Sequence, residues 1–175
     1  MVAEVGALVI AVWALLVTGG WILAISCVFG WLLLALAVID WRHFLLPDVL
    51  TISLLIVGLV ATSLLDAPSL VDHFAGAIAG FLILVGIATL YRRIRNRDGI
   101  GFGDAKLLGA IGAWVSWEGI PSVLMLATVM GLSVAAVHAI AGTRIEFSTK
   151  LPFGTLLAGA GWLVWLYGPL MFGPA

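Results

Sequence analysis

The chain has 175 residues, of which 63% are hydrophobic and only 10% are charged, and its mean hydropathy is +1.24. Soluble globular domains carry about 25% charged residues, so this composition excludes an ordinary soluble domain. The formal net charge of −1 by itself indicates no particular partner. We expect the chain to be surrounded by a lipid bilayer and to have no nucleic-acid partner.

Apolar segments follow one another along the chain, separated by short polar clusters. They cover about 4–18, 21–40, 47–65, 72–94, 104–118, 120–142 and 152–171. Helices of this length satisfy their own backbone in lipid, so the segments predict an all-α, polytopic transmembrane helix bundle. We expect one integral-membrane domain over 1–175 and no soluble domain. The first segment is short and only Gly19-Gly20 separates it from the second, so a bent helix or a re-entrant segment stays open and the count is six or seven spans.

The basic residues are distributed on one side of this predicted bundle. If all seven segments span, all eight Lys and Arg fall in or beside the loops near 41–46, 92–103 and 143–151. The opposite loops contain Asp66, Asp72 and Glu118 and no basic residue. Lys and Arg accumulate in cytoplasmic loops, so we predict that the three basic loops are cytoplasmic.

Three carboxylates lie on that same predicted side. Asp40 ends the second segment, Asp48 opens the third and Asp104 opens the fifth. A charged side chain in hydrocarbon costs about 2.5–3.5 kcal/mol or more, so carboxylates here need an explanation. Two neighbouring carboxylates share a proton and can activate water, which favours an aspartyl enzyme. The alternative is a set of helix-end carboxylates that cap helices or face water.

Three motifs then appear in order along about 30–165. They are Asp40-Trp-Arg-His-Phe-Leu-Leu-Pro47-Asp48, Gly101-Phe-Gly103-Asp104-Ala-Lys106 and Leu151-Pro152-Phe153-Gly154-Thr155. In type, order, spacing and sidedness they resemble the motifs of the type IV prepilin peptidases, which are membrane aspartyl proteases of the GxGD class.

The resemblance implies roles for particular residues. It makes Asp40 and Asp104 the catalytic pair. The supporting residues that it suggests are Pro47, Asp48, Gly101, Gly103, Lys106, Pro152 and Gly154. We expect Gly101 and Gly103 to permit positive φ and a close approach of substrate to the backbone. Lys106 either orients Asp104 or substrate, or extends to the lipid headgroups.

The chain departs from the family pattern in two places. Thr155 stands where the family commonly has proline, and we expect it to touch no catalytic group. The long members carry an N-terminal segment with paired CxxC motifs and an N-methyltransferase activity, whereas this chain has the single Cys27. We therefore expect a short, peptidase-only member.

The resemblance implies an endopeptidase of the bacterial inner membrane, with its active site at the cytoplasmic face. It would remove the short basic leader from type IV prepilin-like precursors of pili or type II secretion. Water is the nucleophile, so we expect no metal and no other cofactor. Three alternatives stay open: a GxGD protease for other membrane substrates, a proton-coupled transporter component, and an inactive assembly scaffold. The particular substrate and the oligomeric state stay open as well.

Overall fold

A computed structural model of the protein describes residues 2–65, 69–95, 101–141 and 152–170. These residues form helices and no strand, which confirms the all-α prediction. The helices are α1 (Val2–Val17), α2 (Gly20–His43), α3 (Asp48–Leu64), α4 (Leu70–Arg95), α5 (Phe102–Ile140) and α6 (Phe153–Tyr167). Four charged residues used for the predicted topology, Asp66, Arg97, Arg144 and Lys150, lie outside the described residues.

Helix length separates two groups of helices. The helices α2, α4 and α5 have 24, 26 and 39 residues and are long and apolar enough to cross a membrane. The other three are apolar but have at most 17 residues. At 1.5 Å per residue, a 17-residue helix is about 26 Å long, slightly less than a hydrocarbon core of about 30 Å. By length and composition, the structure therefore supports three of the predicted six or seven spans.

The first two helices form a hairpin. Gly19 is extended and Gly20 has a φ of +59°, so the chain turns between α1 and α2. Trp31 Nε1 donates to Ala7 O at 3.1 Å, which joins the two helices side by side. A single bent helix over these residues is thereby ruled out.

α5 contains a sharp bend at Ser116, whose φ of 59° and ψ of −179° are not helical. A Cβ on Gly80 of α4 would lie 2.7 Å from Leu108 O and 3.0 Å from Ile120 Cδ1, both in α5. In a straight helix those residues would be about 18 Å apart. α5 therefore has a first arm, 102–115, and a second arm, 117–140, which correspond to the predicted fifth and sixth segments.

Small residues let α4 and the first arm of α5 approach closely. A Cβ on Gly76 would lie 2.5 Å from Gly112 O, and one on Gly109 would lie 3.0 Å from Ala77 O. Next to this contact, Trp114 is only 1% exposed and donates from Nε1 to a backbone carbonyl of α3 at 2.8 Å. Trp114 lies near a segment end, where tryptophan is typical of an interfacial anchor, but here it belongs to the core.

Candidate active site

Four helices meet at one end of the bundle, which we call the carboxylate end. α2 finishes there, and α3, the first arm of α5, and α6 begin there. Asp40 lies in the last turn of α2, Asp48 is the first residue of α3, and Asp104 lies in the first turn of α5. The three carboxylates therefore lie at one end of the bundle, as their positions in the sequence indicate.

Asp104 is held by the start of its own helix. Gly101 N donates to Asp104 Oδ2 at 3.1 Å, and Asp104 N donates to Gly101 O at 3.1 Å. The first bond is the side-chain half of a capping box, whereas the second is an ordinary backbone bond, because Gly101 has no side chain to complete the box. A carboxylate in the first turn is also stabilised by the helix dipole. The side chain is 9% exposed. The carboxylate is therefore buried, with one oxygen assigned to helix capping.

Asp40 is held by the start of a different helix. Its Oδ2 accepts from Thr155 N at 2.8 Å and from Thr155 Oγ1 at 3.2 Å. The first N–H groups of any helix lack intrahelical partners, so Asp40 on α2 supplies an acceptor that α6 needs. Asp40 is 5% exposed. Its backbone carbonyl accepts from Phe44 N at 2.8 Å, and Phe44, with a φ of +52°, ends α2.

Gly154 and Gly103 allow the starts of α6 and α5, which hold the two aspartates, to come together around Leu46. A Cβ on Gly154 would lie 2.9 Å from Asp40 Oδ2 and 3.1 Å from Leu46 Cδ1. A Cβ on Gly103 would lie 3.2 Å from Leu46 Cβ. Any larger residue at 154 would displace Asp40, so this glycine is required by a close approach. Leu46 therefore lies beside Gly154, which adjoins Asp40, and beside Gly103, which precedes Asp104, so the two aspartates lie in one neighbourhood.

The glycines before Asp104 do not act through positive φ. Gly101 has a φ of −71°, and the positive-φ glycines of the described residues are Gly20 and Gly168. The expectation of a left-handed backbone in this motif is therefore wrong. Gly103 is already part of a helix, because α5 begins at Phe102. Its role is instead to leave space beside Leu46, which a larger side chain would crowd.

Lys106 pairs with Asp48. Its Nζ lies 2.6 Å from Asp48 Oδ1 and 5.1 Å from the centroid of the Phe102 ring. The Lys106 and Asp48 side chains are 31% and 60% exposed, and exposed ion pairs contribute only about 0–1 kcal/mol. The described partner of Lys106 is thus Asp48 and not Asp104, and the alternatives in which Lys106 contacts substrate or lipid headgroups stay predictions. The ion pair joins α3 to α5 beside the buried carboxylates.

The two prolines of the motifs begin helices. Pro47 is the N-cap of α3, and its carbonyl accepts from Leu50 N and Thr51 N at 3.1 Å each. Pro152 is the N-cap of α6. Both prolines therefore determine where the helices beside the carboxylates start.

Sequence reasoning missed two residues of this site. Thr155, expected to touch no catalytic group, donates two hydrogen bonds to Asp40, so that expectation is wrong. Its place as the third residue of a helix that follows Pro152 is a signal, because an N–H at that position has no partner in its own helix. Leu46, beside both glycines, carries no signal in the sequence that distinguishes it from other leucines.

Comparison with known proteins assigns the chain to a family. The model of the type IV leader peptidase family matches residues 27–136, which include Asp40, Asp48 and Asp104. That match covers more than half of the chain. The α6 motif from Pro152 to Thr155 lies beyond it.

Several curated relatives are similar over most of the chain, and each is named a prepilin leader peptidase/N-methyltransferase. One from Aeromonas salmonicida is 38% identical over 93% of this chain and 55% of its own length. One from Pseudomonas aeruginosa is 39% identical over 79% and 47%, and one from Burkholderia pseudomallei is 43% identical over 78% and 44%. The chain thus spans about half the length of the curated relatives it matches.

No solved structure is significantly similar to the chain. The family match, the identities of 38–43% and the three carboxylates at one end of the bundle agree with one another. The chain belongs to the type IV leader peptidase family.

Proposed function

We propose that the chain is an aspartyl endopeptidase that removes the leader from type IV prepilin-like precursors. The observation that carries the proposal is the burial of two carboxylates from different helices at one end of the bundle, Asp40 at 5% and Asp104 at 9% exposure. Family membership supports the reaction, and the relatives' printed name includes the same peptidase activity.

The chemistry follows from two carboxylates that share a site. Like charges held close together cannot both ionise cheaply, and the proposed reaction uses the pair with one proton between its two members. The ionised member takes a proton from water, whose oxygen attacks the scissile carbonyl carbon. The protonated member polarises the carbonyl oxygen, and a proton then passes to the leaving amine. Water is the nucleophile, so the two aspartates suffice for the proposed steps.

The charges of the described residues support a cytoplasmic position for this site in the inner membrane. α4 packs along the first arm of α5, with Phe81 5.7 Å from Phe102 between ring centroids, so the C-terminal part of α4 runs past the carboxylate end. Its last turn contains three arginines, and the last turn of α2 contains Arg42. Asp72, at the start of α4, lies at the other end. Basic residues favour the cytoplasmic side.

This position suits the proposed class of substrate. A prepilin-like precursor has a short basic leader on the cytoplasmic side and an apolar helix in the bilayer, so its scissile bond lies at the membrane surface. A proton relay through the membrane would favour carboxylates at different depths. Asp40 and Asp104 lie at the same end, so we favour the peptidase over a transporter component.

The test is co-expression with each of several candidate prepilins, with the product's N-terminus read by mass spectrometry. We expect the wild type to produce a new N-terminus, and Asp40→Asn and Asp104→Asn each to lower cleavage by about a thousandfold or more. Removal of one member of a catalytic group that acts as a unit costs about that much. Asp72→Asn, a carboxylate change at the other end of the bundle, serves as the matched control and should cleave normally.

Two outcomes would contradict the proposal. One is an Asp104→Asn variant that retains most of the wild-type cleavage. The other is an intact leader on every precursor in the presence of well-expressed wild-type protein. The same spectra report methylation of the new N-terminus, and an added methyl mass would contradict the peptidase-only expectation.

A further inference from the structure

We propose that Thr155 is a positioning residue for Asp40, and that its hydroxyl holds Asp40 Oδ2 so that Oδ1 does the proton transfer. The inference rests on the proposed function of the aspartate pair. It concerns a position where this chain has a threonine in place of the proline of the resembling motif. Proline has neither an N–H nor a hydroxyl, so neither contact to Asp40 exists in a chain with proline there.

Two donor atoms of Thr155 lie beside one oxygen of Asp40. Thr155 N lies 2.8 Å from Asp40 Oδ2, and Thr155 Oγ1 lies 3.2 Å from the same oxygen. Thr155 Oγ1 also lies 3.1 Å from Ala37 O, one turn before Asp40 on α2. A hydroxyl has a single proton, so at any moment it donates either to the Ala37 carbonyl or to the carboxylate. The hydroxyl thereby fixes the side chain of Asp40 relative to its own helix.

These donors make the two oxygens of Asp40 unequal as proton acceptors. While Asp40 is ionised and the hydroxyl proton points to it, Oδ2 accepts from two donors, which lowers the affinity of that oxygen for a further proton. Proton transfer is therefore easier at Oδ1. Asp104 shows the same division, because its Oδ2 accepts from Gly101 N. In the described residues, a side-chain hydroxyl assists this arrangement at Asp40 and not at Asp104.

A control variant can separate the positioning of Asp40 from the simple attachment of α6 to α2. A second hydrogen bond joins these helices far from the carboxylates: Trp165 Nε1 donates to Ser26 Oγ at 2.8 Å. Ser26 precedes Asp40 by 14 residues, or about 21 Å along the helix. Loss of this bond weakens the α2–α6 contact without touching Asp40. Ser26→Ala is therefore the matched control for Thr155→Val.

The experiment measures kcat and KM for cleavage of a prepilin by purified wild type, Thr155→Val, Thr155→Ser and Ser26→Ala, with Asp104→Asn as the inactive reference. Valine has the shape of threonine without the hydroxyl, and it keeps the backbone N–H. We expect Thr155→Val to lower kcat by about tenfold with KM unchanged, because a hydrogen bond to a charged group is lost. Thr155→Ser should restore the wild-type kcat, and Ser26→Ala should retain it.

The outcomes distinguish the failure of this inference from the failure of the proposed function. A wild-type kcat for Thr155→Val overturns the positioning role, and so does a loss of kcat for Thr155→Ser equal to that for Thr155→Val. If Asp104→Asn is inactive in the same assay, the proposed peptidase function still stands. An equal loss for Ser26→Ala assigns the effect to helix attachment and also overturns it. An active Asp104→Asn overturns the proposed function itself.

A second readout applies without any substrate. Infrared spectra of protein with isotope-labelled aspartate contain a carboxylate band that disappears in Asp40→Asn. We expect this band to shift in Thr155→Val and to return to its wild-type position in Thr155→Ser. An unchanged band in Thr155→Val would contradict the hydrogen bond from the hydroxyl.

Discussion

At the carboxylate end of the bundle, Asp40 and Asp104 are buried, and each accepts an N–H from the first turn of a helix. At the other end, which we call the bend end after Ser116 and its neighbours His73 and Gly76, the buried residues include an imidazole. His73 Nδ1 lies 3.1 Å from Ala113 O, and its Nε2 has no partner among the described residues. One end pairs carboxylate oxygens with the N–H groups of helix starts, whereas the other leaves a buried nitrogen without a partner in the part of the chain that the structure describes.

The two ends also differ in what their glycines allow. At the carboxylate end Gly154 makes room for the carboxylate of Asp40. At the bend end Gly76 makes room for the backbone of α5, because its Cβ would lie 2.6 Å from the Ser116 carbonyl carbon and 2.8 Å from Trp117 N. From this difference we expect substitutions at the carboxylate end to change turnover by the proposed peptidase, and substitutions at the bend end to change stability.

The largest effect that we expect at the bend end is that of Gly76→Ala. The new methyl group meets backbone atoms, which cannot move out of its way as a side chain would, so we expect a loss of about 3 kcal/mol in the free energy of unfolding. Thermal unfolding in detergent measures it. The matched control is Gly86→Ala on the same helix, where no atom lies within 4 Å of the new Cβ. If the two variants melt alike, the close contact at Gly76 does not limit stability.

A smaller effect, on turnover rather than stability, is expected for Gly154→Ala. The methyl group would displace the Asp40 carboxylate by a fraction of an ångström, and misplacement of a reacting group by about 1 Å can cost a hundredfold, so we expect a loss of about tenfold in kcat. The prepilin cleavage assay measures it. Gly159→Ala on the same helix is the control, because its Cβ would meet only the flexible end of Met130, at 3.3 Å. Normal turnover in Gly154→Ala would contradict the comparison.

The smallest effect is expected for Ser116→Gly at the bend. A φ of 59° with a ψ of −179° is a conformation that residues other than glycine adopt at a cost of about 1–3 kcal/mol. Glycine removes this strain but adds freedom to the unfolded chain, worth about 0.5–1 kcal/mol, so we expect a net gain of about 1 kcal/mol. Ser116→Ala keeps the strain and controls for loss of the hydroxyl. A lower melting temperature for Ser116→Gly than for Ser116→Ala would show that the bend is unstrained.

Much of the carboxylate end is predictable from sequence. Asp40, Asp48 and Asp104 are polar residues at the edges of apolar segments, and the alternation of segments places all three on one side. The bend was predictable only as a break between two segments. Pro121 cannot donate to the helix, but it does not specify that the distortion occurs at Ser116.

The contacts of Thr155 were not predictable in the same way. Its partner Asp40 is 115 residues earlier in the chain, and nothing in either local sequence states that α6 begins beside the end of α2. The same holds for Lys106, whose partner Asp48 is 58 residues away. The motif containing Thr155 indicates that this segment belongs to the site, but it does not indicate that Thr155 donates to Asp40.

The sequence by itself determined the helical class of the protein, the approximate extent of its helices and the grouping of Asp40, Asp48 and Asp104 at one end of the bundle. These properties depend on local hydrophobic length, because a helix in lipid satisfies its own backbone. Only the tertiary structure decided which donor meets each carboxylate, where α5 bends, and that Gly154 adjoins Asp40. Those properties depend on the packing of segments distant in sequence, where tenths of an ångström decide which atoms meet.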